Sequence, residues 1–167
     1  SGTFNWSTYL GESISTCQVD LSDNVYVTGY NDLYNNIGTP GTYISSASFS
    51  NRMFLAKFDN AGNRIWGTYL PIHIKCLYIK SNSEILVAGN GIYHPIAVSP
   101  GTYQSSVRGL YDAYLGRFNN NGQFLWGSYY GGSSTDEGTY CYSTPDGEIY
   151  LGGITKSPNR STDQKCI

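Results

Sequence analysis

Asp136 and Glu137 are adjacent carboxylates in a glycine-rich stretch, and two acids side by side invite a general acid and base reading. Paired carboxylates that work on a glycosidic bond face each other across the substrate at about 5–9 Å, which sequence neighbours rarely do. Loop capping or solvation is the reading favoured for both, with calcium a minor alternative, because DxDxDG-like ligand spacing is absent. His73 and Cys76 lie three residues apart, and on a strand that separation sends the two side chains to opposite faces. No CxxC pair exists, so no metal site is expected. His94 precedes Pro95 in a loop, without a nucleophile in a GxSxG-type motif. Asn5-Trp6-Ser7 and Asn159-Arg160-Ser161 fit the N-glycosylation pattern, the first at the start of a predicted strand. With no nucleophile, base or metal constellation, the chain reads as a protein without catalytic residues and without a cofactor.

Composition narrows the partners. The formal net charge is −2 and only 13% of residues are charged, with no cationic cluster to neutralise a phosphate backbone, so nucleic acid is not an expected partner. No run approaches the ~20 consecutive apolar residues of a membrane helix, and no membrane insertion is expected. Ser1-Gly2-Thr3 carries neither an initiator Met nor a signal-peptide pattern, as in a chain trimmed from something longer. Sixteen Tyr and twenty Gly suit short strands joined by tight turns.

Those residues must be positioned by a repeat of 60 residues. Trp6, Trp66 and Trp126 open the segments WSTYL, WGTYL and WGSYY at that interval. PGTY recurs at 40–43 and 100–103, FLAKFDNAGN (54–63) is answered by YLGRFNNNGQ (114–123), and VYVTG (25–29) by ILVAG (85–89) and IYLGG (149–153). Each period holds four short candidate strands bounded by Gly, Asn, Asp and Ser, predicted near 6–10, 16–20, 25–30, 53–58, 65–70, 75–80, 84–89, 113–118, 124–130, 139–143 and 148–152. Tight connections between them require an antiparallel meander. A four-stranded unit cannot cover both of its apolar faces alone, so neighbours stack on it. The expected fold is all-β, a single β-propeller segment over 1–167 with Cys76's strand innermost in its blade and the Trp strand outermost. At this period the chain makes about 2.8 blades, too few to close a ring, with 154–167 an incomplete third-blade tail. The remaining blades of the same protein, or other chains, are the partners this implies.

WGSYYGGSSTDEGTYCYSTPDGEIYLGG (126–153) and DAYLGRFNNNGQFLWGSYY (112–130) resemble the SBBP-type β-propeller repeat, with its W-S-T-Y-L-G-G segment, acidic loop, G-N turn and V-Y-V-T-G strand. The resemblance covers nearly all of 1–153. It implies a secreted or surface-exposed bacterial protein of the Bacteroidetes type, whose repeats accompany adhesion or hydrolase modules, and it implies no shared catalytic residue. The middle copy departs from the pattern at Pro71-Ile72-His73-Ile74 and Ser81-Asn82-Ser83-Glu84. The function expected of such a chain is that of a binding or adhesion scaffold for a protein or carbohydrate, with an accessory module of a secreted hydrolase or a structural spacer as alternatives.

Binding is expected on the end of each sheet that carries the long segments 31–52 and 90–111, which exceed usual connection lengths. Tyr34, Tyr43, Tyr93 and Tyr103 lie there, and Tyr offers a rigid ring with a polar tip. Tyr43 and Tyr103 recur in phase and fit a pinning role; Tyr34 and Tyr93 do not recur and are the sharper candidates. Trp6, Trp66 and Trp126, also in phase, fit packing between blades better than ligand platforms. Cys17 and Cys141 occupy equivalent places and Cys76 lies one residue earlier. Equivalent places on stacked sheets are about 10 Å apart, while a disulfide needs Cα atoms within about 7 Å, so these three read as buried reduced thiols. Cys166 is either a free thiol or paired outside the chain.

Overall fold

The computed structural model describes residues 5–32, 36–48, 52–80 and 84–158. Tyr34, Cys166, the Ser81–Ser83 turn and the 159–161 glycosylation pattern lie outside them. Among the described residues ten strands form three antiparallel sheets. The first sheet is a meander of β1 (Ser13–Val19), β2 (Val25–Tyr30), β3 (Met53–Phe58) and β4 (Arg64–Leu70) in that order. The second repeats it with β5 (His73–Lys80), β6 (Glu84–Gly91), β7 (Asp112–Asn119) and β8 (Phe124–Tyr130). The third holds β9 (Asp136–Ser143) and β10 (Ile149–Thr155). A 3-10 turn at Pro95–Ala97 is the one helical element among the described residues.

The tight turns share one chemistry. Asp20, Asp59 and Asn119 each end a strand and accept two backbone N–H bonds, from the residues two and four further on, at 2.8–3.0 Å. The residue three further on takes a positive φ, at Asp23, Gly62 and Gly122. A short polar side chain that caps its own turn and a residue tolerant of that φ are what D-N-A-G-N and N-N-N-G-Q supply. Asn5 to Leu10 form no strand, unlike the in-phase Trp66 and Trp126 segments. The latter pair with β3 and β7; no strand stands beside 6–10 among the described residues, so no ladder forms there.

Alternation along the strands feeds two cores at once. Met53 and Leu55 of β3 join Trp66, Leu77, Ile85, Val87, Tyr114 and Phe118 in the core between the first and second sheets. Phe54 and Ala56 face the other way, with Ile37, Tyr69 and Trp6. In the second sheet Ile85 and Val87 look toward the first, while Leu86, Ala88 and Leu115 look toward the third and meet Cys141. A sheet covered on both faces explains why β3 is buried at every position. β1 lies against β5 and β5 against β9, so the first strands of successive sheets stand side by side.

Candidate binding surface

The tryptophans all face the same way around the stack, each toward the next sheet along the chain, yet they meet different partners. Trp66 is buried, its indole N–H donating to Asn120 O at 2.8 Å in the β7–β8 turn. Its ring lies on Gly122, where an added Cβ would sit 2.8 Å from Trp66 Cε3. Trp6 repeats that contact on Gly62, at 2.7 Å, and packs on Phe58 with ring centroids 5.9 Å apart. Glycine is therefore required twice over at 62 and 122, for its φ and for the ring above it. Among the described residues no such turn lies under Trp126. It is half-buried and, with Leu115, Tyr130, Asp146, Gly147, Glu148 and Ile149, lines an open cleft of about 350 Å³ between the second sheet and the β9–β10 turn.

The long segments do not project from the ends of their sheets; they fold along the outer edges. Thr39 N–H donates to Gly67 O at 2.8 Å and Tyr69 N–H to Ile44 O at 2.9 Å; in the next copy Ser99 N–H reaches Gly127 O and Tyr129 N–H reaches Gln104 O. Edge strands β4 and β8 thereby gain partners that would otherwise be missing, which blunts them against pairing with other chains. Two in-phase tyrosines anchor the segments from inside. Tyr69 Oη accepts from Ile37 N–H at 2.9 Å, and Tyr129 Oη donates to Ile92 O at 2.8 Å. Burial pushes the Tyr129 phenol up to about 12.

Tyr43 is pinned, as its recurrence suggested, but to the second sheet rather than its own. Its ring stacks on Phe124 at 4.7 Å and meets Phe118 edge-on at 5.7 Å, its N–H donates to Gly122 O, and its hydroxyl donates to Ile96 O. Desolvation pushes its phenol well up. Tyr103 lies flat on Tyr130, with centroids 5.3 Å apart and planes 10° from parallel, and stays 51% exposed. Tyr93 is 54% exposed, and Ile92, Ile96, Leu110 and Tyr111 of the same segment are exposed as well.

Asp136 and Glu137 part as strand neighbours do. Asp136 is buried and accepts from Gly132 N–H and Ser157 Oγ, both at 2.8 Å. Burial alone would raise its carboxyl, but hydrogen bonds from Thr155, Gly132 and Ser157 prevail and hold it below the usual value. Glu137 turns out to pair with Lys75 of β5. The two acids therefore cap and bridge rather than face one substrate. A second buried acid, Asp112, was not singled out in the sequence; it accepts from Gln104 Nε2, Arg108 N–H and Gly109 N–H. A methyl on Gly131 would lie 2.5 Å from Asp112 Cγ and 2.7 Å from Asp136 Oδ2, so this glycine leaves room for both carboxylates. Among the described residues no group of three or more His, Cys, Asp or Glu side chains is arranged to hold a metal ion.

Among the described residues Cys17, Cys76 and Cys141 form no disulfide, and they are neither uniformly buried nor mutually remote, unlike the expectation. Cys17 is exposed, Cys76 half-buried and Cys141 buried, and Cys76 Sγ lies 3.5 Å from Cys141 Sγ. Sheet spacing governs equivalent positions, whereas Cys76 is offset by one residue. A one-residue offset on a strand turns a side chain to the other face. The cleft at Trp126 was also missed, because the in-phase recurrence of the ring says nothing of what stands opposite each copy. No protein-family model matches the chain, and no curated protein sequence matches it.

Proposed function

We propose that the chain is a non-catalytic, extracellular β-propeller scaffold for binding, part of a larger ring, with a carbohydrate as a ligand of the face that carries the long segments. The propeller reading is supported by two successive four-stranded meanders of one design, packed face to face with their first strands adjacent. Secretion or display on a bacterial surface rests on the resemblance to SBBP-type repeats. The observation that carries the ligand class is the exposure of two aromatic rings on the 92–111 segment, Tyr93 at 54% and Tyr103 at 51%, each a rigid ring with a polar tip that suits the C–H surface and hydroxyls of a sugar.

The test is titration of a panel of neutral and acidic oligosaccharides, read by intrinsic fluorescence and calorimetry. Binding should release heat, and Tyr93→Ala or Tyr103→Ala should each weaken it by about 1–2 kcal/mol. Full affinity in both variants, or no binding across the panel, overturns the sugar reading. The exposed apolar side chains Ile92, Ile96 and Leu110 favour a second reading, a protein ligand on the same segment, for which Ile92→Ala or Leu110→Ala would be the damaging change.

A further inference from the structure

We propose that Cys76 and Cys141 are a site of disulfide formation that fastens the third sheet to the second. Cys76 sits on β5 and Cys141 on β9, in separate sheets, with 64 residues of chain and strands β6 to β8 between them. Their register explains the meeting. Cys76 pairs across to Ala88 and Leu77 to Val87; the Leu77 side faces the first sheet, so Cys76 faces the third. Cys141, opposite Leu151, faces back toward the second sheet and packs with Leu86, Ala88 and Leu115. The sulfurs are 3.5 Å apart and Cys76 Sγ is 3.3 Å from Cys141 N, within reach of the ~2 Å S–S bond.

The surroundings also set the order of the reaction. Cys141 N–H donates to Cys76 Sγ at 3.3 Å, and Cys76 is the more accessible of the two thiols. The Cys141 thiol hydrogen-bonds to Cys76 and brings it down to about 6, while the same bond and burial raise Cys141. Cys76 is thus the attacking thiolate. Against a low-molecular-weight disulfide of the glutathione class, Cys76 Sγ bonds to one sulfur and expels the other as a thiolate. Cys141 then gives its proton to solvent, bonds to Cys76 Sγ and expels the second thiolate. Two protein thiols are oxidised by two electrons, and the small disulfide is reduced to two thiols.

Tryptic mapping after oxidation is decisive because the cysteines fall in different peptides: Cys17 before Arg52, Cys76 in 76–80 and Cys141 in 118–156. The folded chain is incubated with oxidised glutathione, unfolded, alkylated and digested without reductant. Peptide 76–80 should appear linked to 118–156, with Cys17 alkylated. The oxidised protein should melt on the order of 5–10 °C above the reduced one, a difference that Cys76→Ser abolishes. Recovery of 76–80 in alkylated form, or joined to any other cysteine, overturns the site. A correct link that leaves Tm unchanged overturns its fastening role.

Discussion

Trp6, Trp66 and Trp126 hold the same place in the repeat but differ in what each ring covers. Trp66 is closed in by Gly122, Tyr26 and the Asn120 carbonyl, whereas Trp126 opens onto a cleft. Removing a buried indole forfeits both its transfer energy and the packing around the cavity left behind. Trp66→Ala should therefore cost about 3–5 kcal/mol of unfolding free energy, and Trp126→Ala about 1 kcal/mol or less, as at a partly exposed site. Urea denaturation of both variants measures this. Equal losses would show that recurrence, not surroundings, sets the role of these rings. The phase of the Trp was legible in the sequence; the difference between its copies was not, since it depends on residues about 55 positions away, such as Asn120 beneath Trp66.

At the scale of elements, the tight turns are local objects and the long segments are not. Asp20, Asp59 and Asn119 cap their own turns within four residues, so D-N-A-G-N and N-N-N-G-Q announce them. The path of 92–111 along β8 depends on Gly127, where a methyl would overlap Ala97 O and the Tyr114 hydroxyl. Gly67 makes the same concession to Ile37 O in the first sheet. Gly127→Ala should push the segment off its edge strand at a cost of about 1–3 kcal/mol, the range for overpacking. Arg108 is an exposed trypsin site within that segment, so limited proteolysis reads the change. Cleavage after Arg108 should accelerate in Gly127→Ala while sites in β3 and β7 stay protected; an unchanged rate would mean that the segment is held by its other contacts alone.

Across the whole molecule, the first and second sheets are joined through a surface turn with buried consequences. Asn120 Oδ1 accepts from Lys57 Nζ at 2.6 Å and Tyr26 Oη at 2.7 Å, and Asp20 Oδ2 lies 4.0 Å from the same ammonium. Lys57 is buried, and desolvation lowers its pKa against the opposing pull of Asp20. Asn120→Ala would leave that ammonium without its amide acceptor, at about 1–3 kcal/mol, the usual penalty for orphaning a buried polar group. Asn60, its in-phase counterpart, is exposed, and Asn60→Ala should stay within about 0.5 kcal/mol. Thermal unfolding of both variants checks the contrast. Matching effects would mean that the turn does not join the sheets.

By itself the sequence determined what local rules decide: the 60-residue period, an all-β chain, ten of eleven predicted strands to within a few residues, and the capped turns. Alternation and turn chemistry act over two to five residues and are written in order along the chain. Only the tertiary structure decided which faces meet. The long segments lie along edges because Gly67 and Gly127 leave space there. Cys76 and Cys141 touch because a one-residue offset in register turns one thiol forward and the other back. Such contacts depend on how separate sheets stack, and stacking is set by the sum of two packed faces rather than by any residue type at a given position.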